Sequence, residues 1–454
     1  MKQNLTYTAK IVVYSLLLLI IGPQLLSCKE GSQDTEEKIN GDLAVPQLLP
    51  RTKDSGPKEE AELIRKTYDA AVAALKKNSA DGKAYLSIAT AFISEGRITG
   101  NNGYYSEAAI KMLDKARAVS PENKDIDFES LSLKSAVLLN MHQFKDALAT
   151  AKQGVTINSY NAGIYGAMID AHVEMGDYNA AVADCDKMLN IRPDLRSYSR
   201  ASYLRQIHGD NDGALEAMKM AVESGVPGME STEWARVNWG DLYFNIGKLD
   251  TARMIYESVL SYRPGYPYAE MGLARVAAAH KNYDQAITHT SNAIKVLSEA
   301  AFVSYLGDLY TLKGDKEKGE ETHKDVVRLL EEGEKDQAKS KILQHNGHRE
   351  LAMAYLSVKD YDKALLHAQA DYNLRPANID ANELMAWVLY LKGAYAEAVK
   401  YQDVVFKTKI KNANLSYKAG LVYAAAGNAT RADQLKKEGL SISSFIDPRI
   451  TELP

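Results

Sequence analysis

The chain has 454 residues, a net charge of −4 and a pI near 6.2, with 46% hydrophobic and 25% charged side chains. No basic excess is available to condense on phosphates, which argues against a nucleic-acid surface built on charge. The length would ordinarily mean more than one globular domain. Helix formers dominate, however, and no sustained strand alternation appears, so the chain reads as all-α.

Residues 1–27 carry a secretory-signal pattern: Lys2 and Lys10 supply a positive start, and an apolar core follows from Ile11 to Ile21. A membrane-spanning helix is disfavoured because that core is short and is broken by Gly22 and Pro23. The run Leu25-Leu26-Ser27-Cys28 resembles the lipobox of bacterial lipoproteins. The resemblance implies that Cys28 becomes the lipidated N-terminus of the mature protein and holds it to a membrane. A plain signal peptide that happens to contain Cys28 is the alternative. Lys29, Glu30, Asp34, Glu36 and Glu37 resemble the surface-export signal of Bacteroidota lipoproteins, and read equally well as a solvated acidic tether. Residues 28–56 lack periodicity and are expected to be that flexible tether. Pro57, Glu59 and Glu60 then open a helix whose face is Tyr68, Val72 and Leu75, an N-terminal capping helix over 57–80.

From residue 81 a single unit repeats, clearest at 162–193. Tyr165, Met168, Ile169 and His172 share one helix face. Gly176 stops that helix, Tyr178 packs back across the corner, Ala181, Cys185 and Met188 line the second helix, and Pro193 ends it. The alanine after the turn recurs at Ala109, Ala147, Ala181, Ala214, Ala252, Ala286, Ala364, Ala398 and Ala432, with Gly319 in the same place. Prolines close units at Pro121, Pro193, Pro264 and Pro376, and Gly240/Tyr243, Gly307/Tyr310 and Gly420/Tyr423 repeat an upstream glycine–tyrosine pair.

This pattern resembles the tetratricopeptide repeat (TPR), a helix–turn–helix of about 34 residues. The resemblance implies a right-handed superhelical solenoid of about ten repeats. Repeats 1–7 fall in 81–330 and repeats 8–10, with an extended first helix, in 331–441; 442–454 reads as a tail with no evident capping helix. Two irregularities stand out. An insertion at 98–105 holds Tyr104 and Tyr105 on a protruding loop, either as a contact point or as a cover for the corner of the repeat. A charged stretch between Leu330 and His348 exceeds the repeat period.

The search for chemistry gives little. No phosphate loop, nucleophile elbow or HExxH pattern occurs. His345 and His348 form an HxxH pair that would need further ligands to hold a metal, so no metal and no cofactor are assigned. His172, His208, His323 and His348 read as core positions, and Cys185 as a small buried hydrophobe. Repetition scatters polar residues rather than converging them, so the chain reads as no enzyme.

What remains is the concave groove lined by first helices, where partners of this repeat family lie. Family positions place Asp170, Tyr203, Trp234, Asp241, Phe244, Arg275, Asp308, Arg349, Trp387 and Tyr390 there, though Phe244, Trp234 and Trp387 could equally fill packing between repeats. Aromatics and arginine are usual interface anchors. The expectation is a lipid-anchored scaffold of the cell envelope, at the outer membrane, that binds a protein or peptide and no nucleic acid. A carbohydrate- or nutrient-binding lipoprotein is the rival reading, and an enzyme accessory subunit a further one.

Overall fold

The computed structural model describes residues 36–40, 43–51, 55–337 and 345–453. Cys28 and the signal pattern lie outside them. The chain divides into two units, residues 1–49 and 50–454. In the first, β1 (Glu36–Asn40) and β2 (Leu43–Pro46) form an antiparallel hairpin in which Glu37 faces Val45, with a shift in register between Lys38 and Asn40. A stretch expected to be wholly tether therefore holds a short sheet. The apolar run Leu43-Ala44-Val45 supplies it, too brief to register as strand alternation.

The second unit is all helix. After α1 (Lys58–Lys77), ten hairpins follow: α2 (Gly82–Thr99) with α3 (Asn102–Val119), α4 (Lys124–Asn140) with α5 (Phe144–Ile157), α6 (Ala162–Met175) with α7 (Tyr178–Ile191), and α8 (Leu195–Ile207) with α9 (Asn211–Glu223). Next come α10 (Glu230–Asn245) with α11 (Leu249–Tyr262), α12 (Pro267–Ala279) with α13 (Tyr283–Val296), and α14 (Ala300–Lys313) with α15 (Lys316–Gln337). The last three are α16 (His348–Ser357) with α17 (Tyr361–Leu374), α18 (Ile379–Leu391) with α19 (Tyr395–Val405), and α20 (Ala413–Ala425) with α21 (Ala429–Ile442). A one-turn helix α22 (Pro448–Thr451) closes the described chain.

The repeating letters act locally. Aspartate or asparagine caps the second helix at Asp177, Asp210, Asn282, Asp360 and Asn428, each accepting a hydrogen bond from a backbone N–H inside the first turn. The recurring alanines are fully buried, from Ala109 to Ala398, so that two helix backbones meet where they sit. Gly240 and Gly272 leave room for the ring of Tyr256: a Cβ on either would come within 2.6 Å of it.

Three expectations change. The overlong helix is α15, a second helix of 22 residues, and not the first helix of repeat 8. Tyr104 and Tyr105 lie in the first turn of α3 rather than on a loop, and Tyr105 is buried against Phe92. The tail is folded: Asp447 caps α22, and Phe445, Pro448 and Ile450 pack down.

The solenoid also closes on itself. The turn inside one hairpin meets the segment that precedes the hairpin six further on. Gly100 lies against Leu297, His142 Nδ1 is 3.0 Å from the Asn346 carbonyl, Gly176 abuts the backbone of Ala377, and Gly209 abuts that of Lys409. Asn378 Nδ2 donates to the Val173 carbonyl at 3.2 Å, and the Ile379 N–H donates to Tyr178 Oη at 2.9 Å. Ile379 itself is a member of the apolar core of repeats 2–4, a burial worth about 1.5–3 kcal/mol. Arg375 crosses the same seam: it forks onto Asp371 at 2.8 Å twice and reaches Glu174. Six hairpins thus make one superhelical turn, and successive turns touch.

Candidate functional site

All ten residues assigned to the groove sit on first helices: Asp170 on α6, Tyr203 on α8, Trp234, Asp241 and Phe244 on α10, Arg275 on α12, Asp308 on α14, Arg349 on α16, and Trp387 and Tyr390 on α18. First helices line the inside of a superhelix, so the coil brings them to one inner face. Their freedom to meet a partner differs sharply.

Much of the charge is already satisfied between neighbouring first helices. Arg200 on α8 donates to Asp170 with Nε–Oδ1 at 2.8 Å, Arg275 to Asp241, and Lys418 on α20 to Glu383 on α18 at 2.8 Å. Tyr256 adds a hydrogen bond to Asp241 at 2.6 Å. Each of the three ion pairs joins one repeat to the next. Although Arg200 and Arg275 keep some solvent access, desolvation is the largest single influence on both, and the aspartates opposite them still raise their pKa above the ordinary guanidinium value. Such pairs hold the spacing of adjacent repeats; one guanidinium without its carboxylate would be costly.

Two more of the ten residues are covered by the chain's own C-terminal segment. Phe445 meets Phe244 edge to face at 5.6 Å. Arg449 lies over the Tyr305 ring at 4.9 Å and 3.6 Å from Asp308. Glu452 reaches Lys281 at 3.3 Å, and Asn414 Oδ1 accepts from the Asp447 N–H at 3.0 Å. Asp308 also faces His323 Nε2 at 3.1 Å. Trp387 is buried, stacked on Tyr390 at 5.0 Å with Lys418 above it, so it packs between repeats.

Tyr203 and Trp234 remain accessible, at 41% and 37%. The Tyr203 hydroxyl is nevertheless held well above the ordinary phenol range, first by desolvation and then by the carboxylates of Asp380 and Glu174. Tyr203 thus combines an accessible ring with a hydroxyl that faces neighbouring carboxylates. Arg349 is half-buried nearby, with Nη1 making no hydrogen bond. An enclosed pocket at the seam, between Gln206, Leu242 and Ile410, measures about 10 Å³, room for about one water.

The histidines divide as well. His172 and His323 are core residues, as their repeat positions predict, whereas His208 is an exposed C-cap that bonds the Leu204 carbonyl. Cys185 is buried, which pushes its thiol up to about 11. His348 is not packed as a core residue: its Nδ1 is 3.1 Å from Nδ1 of His367, and Glu334 stands beside the two. Sequence spacing could not find this group, because His348 and His367 belong to different helices. No described helix is long and apolar enough to cross a membrane.

A family model described as tetratricopeptide repeat matches residues 247–295, which span α11, α12 and most of α13. Among curated proteins, the small glutamine-rich tetratricopeptide repeat-containing protein 2 of Saccharomyces cerevisiae is 27% identical over 208 residues, 39% of this chain and 59% of that protein. The chain thus spans less than two thirds of that relative's length. Among solved structures, a thermophilic TPR protein of Thermus thermophilus aligns with 47% of this chain and 99% of its own at 19% identity, with a TM-score of 0.35. The human IFIT1 dimer with m7Gppp-AAAA covers 85% and 86% at 13% identity, with a TM-score of 0.46.

Proposed function

Because the chain is a tetratricopeptide-repeat protein, a fold that presents side chains on a rigid inner face, we propose that it is a non-catalytic scaffold which binds a protein or peptide inside its superhelix. The observation that carries this reading is the contrast on that face. Most of its charges are paired with one another, while Tyr203 and Trp234 stand accessible as aromatic anchors. A non-catalytic role fits the same pattern, since the paired carboxylates and guanidinia serve the spacing between repeats and do not converge on a shared reacting centre.

The apolar core and the Leu25–Cys28 run support secretion and lipidation at Cys28, with the scaffold held at the outer membrane, on the cell-envelope side. Cys28→Ser should move the protein from the membrane to the soluble fraction and abolish labelling by a radioactive fatty acid; a variant that stays membrane-bound would refute the anchor. The binding claim is tested by placing a photoreactive amino acid at 203, at 234 or at the outward Tyr160, which is 79% exposed. Irradiation of native envelopes should give one discrete adduct from 203 and 234 and none from 160. Adducts of equal yield from all three positions, or from 160 alone, would refute the inner face as the binding surface.

A further inference from the structure

The charged stretch that breaks the repeat period has a structural product. α15 runs 22 residues where the next longest hairpin helices have 18. Its extra length carries Glu331 and Glu334 over the following hairpin. Glu331 accepts a hydrogen bond from the Tyr355 hydroxyl at 2.5 Å and lies 3.6 Å from Lys363. These contacts pin the end of α15 onto α16 and α17. Glu334, one turn on from Glu331, then has a carboxylate oxygen within 4.8 Å of a ring nitrogen of His348 and of His367.

The two imidazoles are held in place. The His367 ring lies against Tyr355 at 5.5 Å with the planes 27° apart. The His348 backbone N–H donates to Asn346 Oδ1 at the start of α16. Both rings turn Nδ1 inward, 3.1 Å apart. Two nitrogen ligands about 2.0–2.1 Å from a tetrahedral zinc ion stand roughly 3.4 Å from each other, so the observed separation needs only a small opening to span an ion. Without an ion, one ring donates to the other. With one, both carry their proton on Nε2 and present Nδ1 lone pairs.

We propose that Glu334, His348 and His367 form a site for a divalent transition-metal ion of the zinc class, with its remaining position open to water. Two imidazole nitrogens and one carboxylate oxygen suit zinc and not magnesium or calcium, which favour all-oxygen shells. The ligands come from three successive helices, α15, α16 and α17, so the ion ties the overlong helix to the next repeat. The site stands apart from the inner-face reading and does not depend on it.

Calorimetric titration of the chelator-stripped full chain with zinc chloride tests this, with magnesium chloride as the control. One zinc per chain should bind and magnesium should not. His367→Gln should abolish the binding and Glu334→Gln weaken it at least tenfold; Glu334 is exposed, so its loss cannot act through unfolding, and far-UV circular dichroism checks the histidine variant. Absence of zinc uptake, or uptake unchanged in His367→Gln, would overturn the site. Unchanged affinity in Glu334→Gln alone would overturn the three-ligand assignment.

Discussion

Gly176→Ala is the sharpest probe of the closed superhelix. Gly176 ends α6 in the left-handed region at φ 78°, and an added Cβ would lie 2.3 Å from the carbonyl carbon of Ala377, a residue from the far end of the chain. The left-handed conformation alone costs a residue with a Cβ about 1–2 kcal/mol. Relief of the clash must push the 375–379 segment off α6, which loosens the Asn378–Val173 and Ile379–Tyr178 hydrogen bonds. At about 1 kcal/mol each for such bonds, the variant should lose roughly 3–4 kcal/mol in all. Gly393 supplies the control. Its φ is 80° at the equivalent turn of repeat 9, and the nearest atom to an added Cβ is a flexible tyrosine hydroxyl at 4.0 Å. Gly393→Ala should therefore cost only the conformational part, about 1–2 kcal/mol. Repeat arrays need not unfold in one step, so native-state hydrogen exchange at α6 and α18 is the assay of choice, backed by urea melts. Equal costs for the two alanines, with exchange at α6 no faster in Gly176→Ala than in Gly393→Ala, would refute the packed seam.

Other outcomes follow from the same structure. Lys359, at φ 59°, occupies the turn position that glycine takes elsewhere; Lys359→Gly should stabilise by about 0.5–1 kcal/mol in urea melts, after the entropy lost from glycine's freer unfolded state. Arg449→Glu sets a carboxylate against Asp308 and Asp447, so limited proteolysis should cut near 443–447 much faster while helix content is unchanged. Burial holds the His172 imidazole below its ordinary value of 6.5, with Asp184 and Asp177 opposing that shift. The folded state then refuses a proton that the unfolded chain accepts below a pH of about 6.5. Stability from this group is complete above that pH and declines as pH falls through the folded value. His172→Gln should flatten that part of the pH–stability curve, and a curve unchanged by the substitution would count against the assignment.

Much of the architecture was legible because repeat structure is local. The buried alanines, the caps at Asp177 and Asn282, and the glycine at the hairpin turn each act within a few residues, and ten hairpins appear where the period predicts them. All ten candidate groove residues lie on first helices, since helix identity follows from the same period. Their separate fates were hidden. Whether Phe244 faces solvent or Phe445, and whether Asp170 is free or held by Arg200, depends on partners far away in the sequence or on the neighbouring repeat. His367, Arg449 and Arg200 were passed over for that reason. Only the broken period before His348 hinted at the histidine pair.

By itself, then, the order of residues determined that this chain builds about ten stacked helical hairpins and where most of them turn, because those choices are settled by short-range backbone preference and by one apolar face per helix. The tertiary structure alone decided the pitch. A small rotation added at each hairpin brings Gly176 to Ala377, Gly209 to Lys409 and Gly247 to Ser443. That rotation is a sum of many side-chain contacts between neighbours, and its total, rather than any single motif, determines which residues are left for a partner to touch.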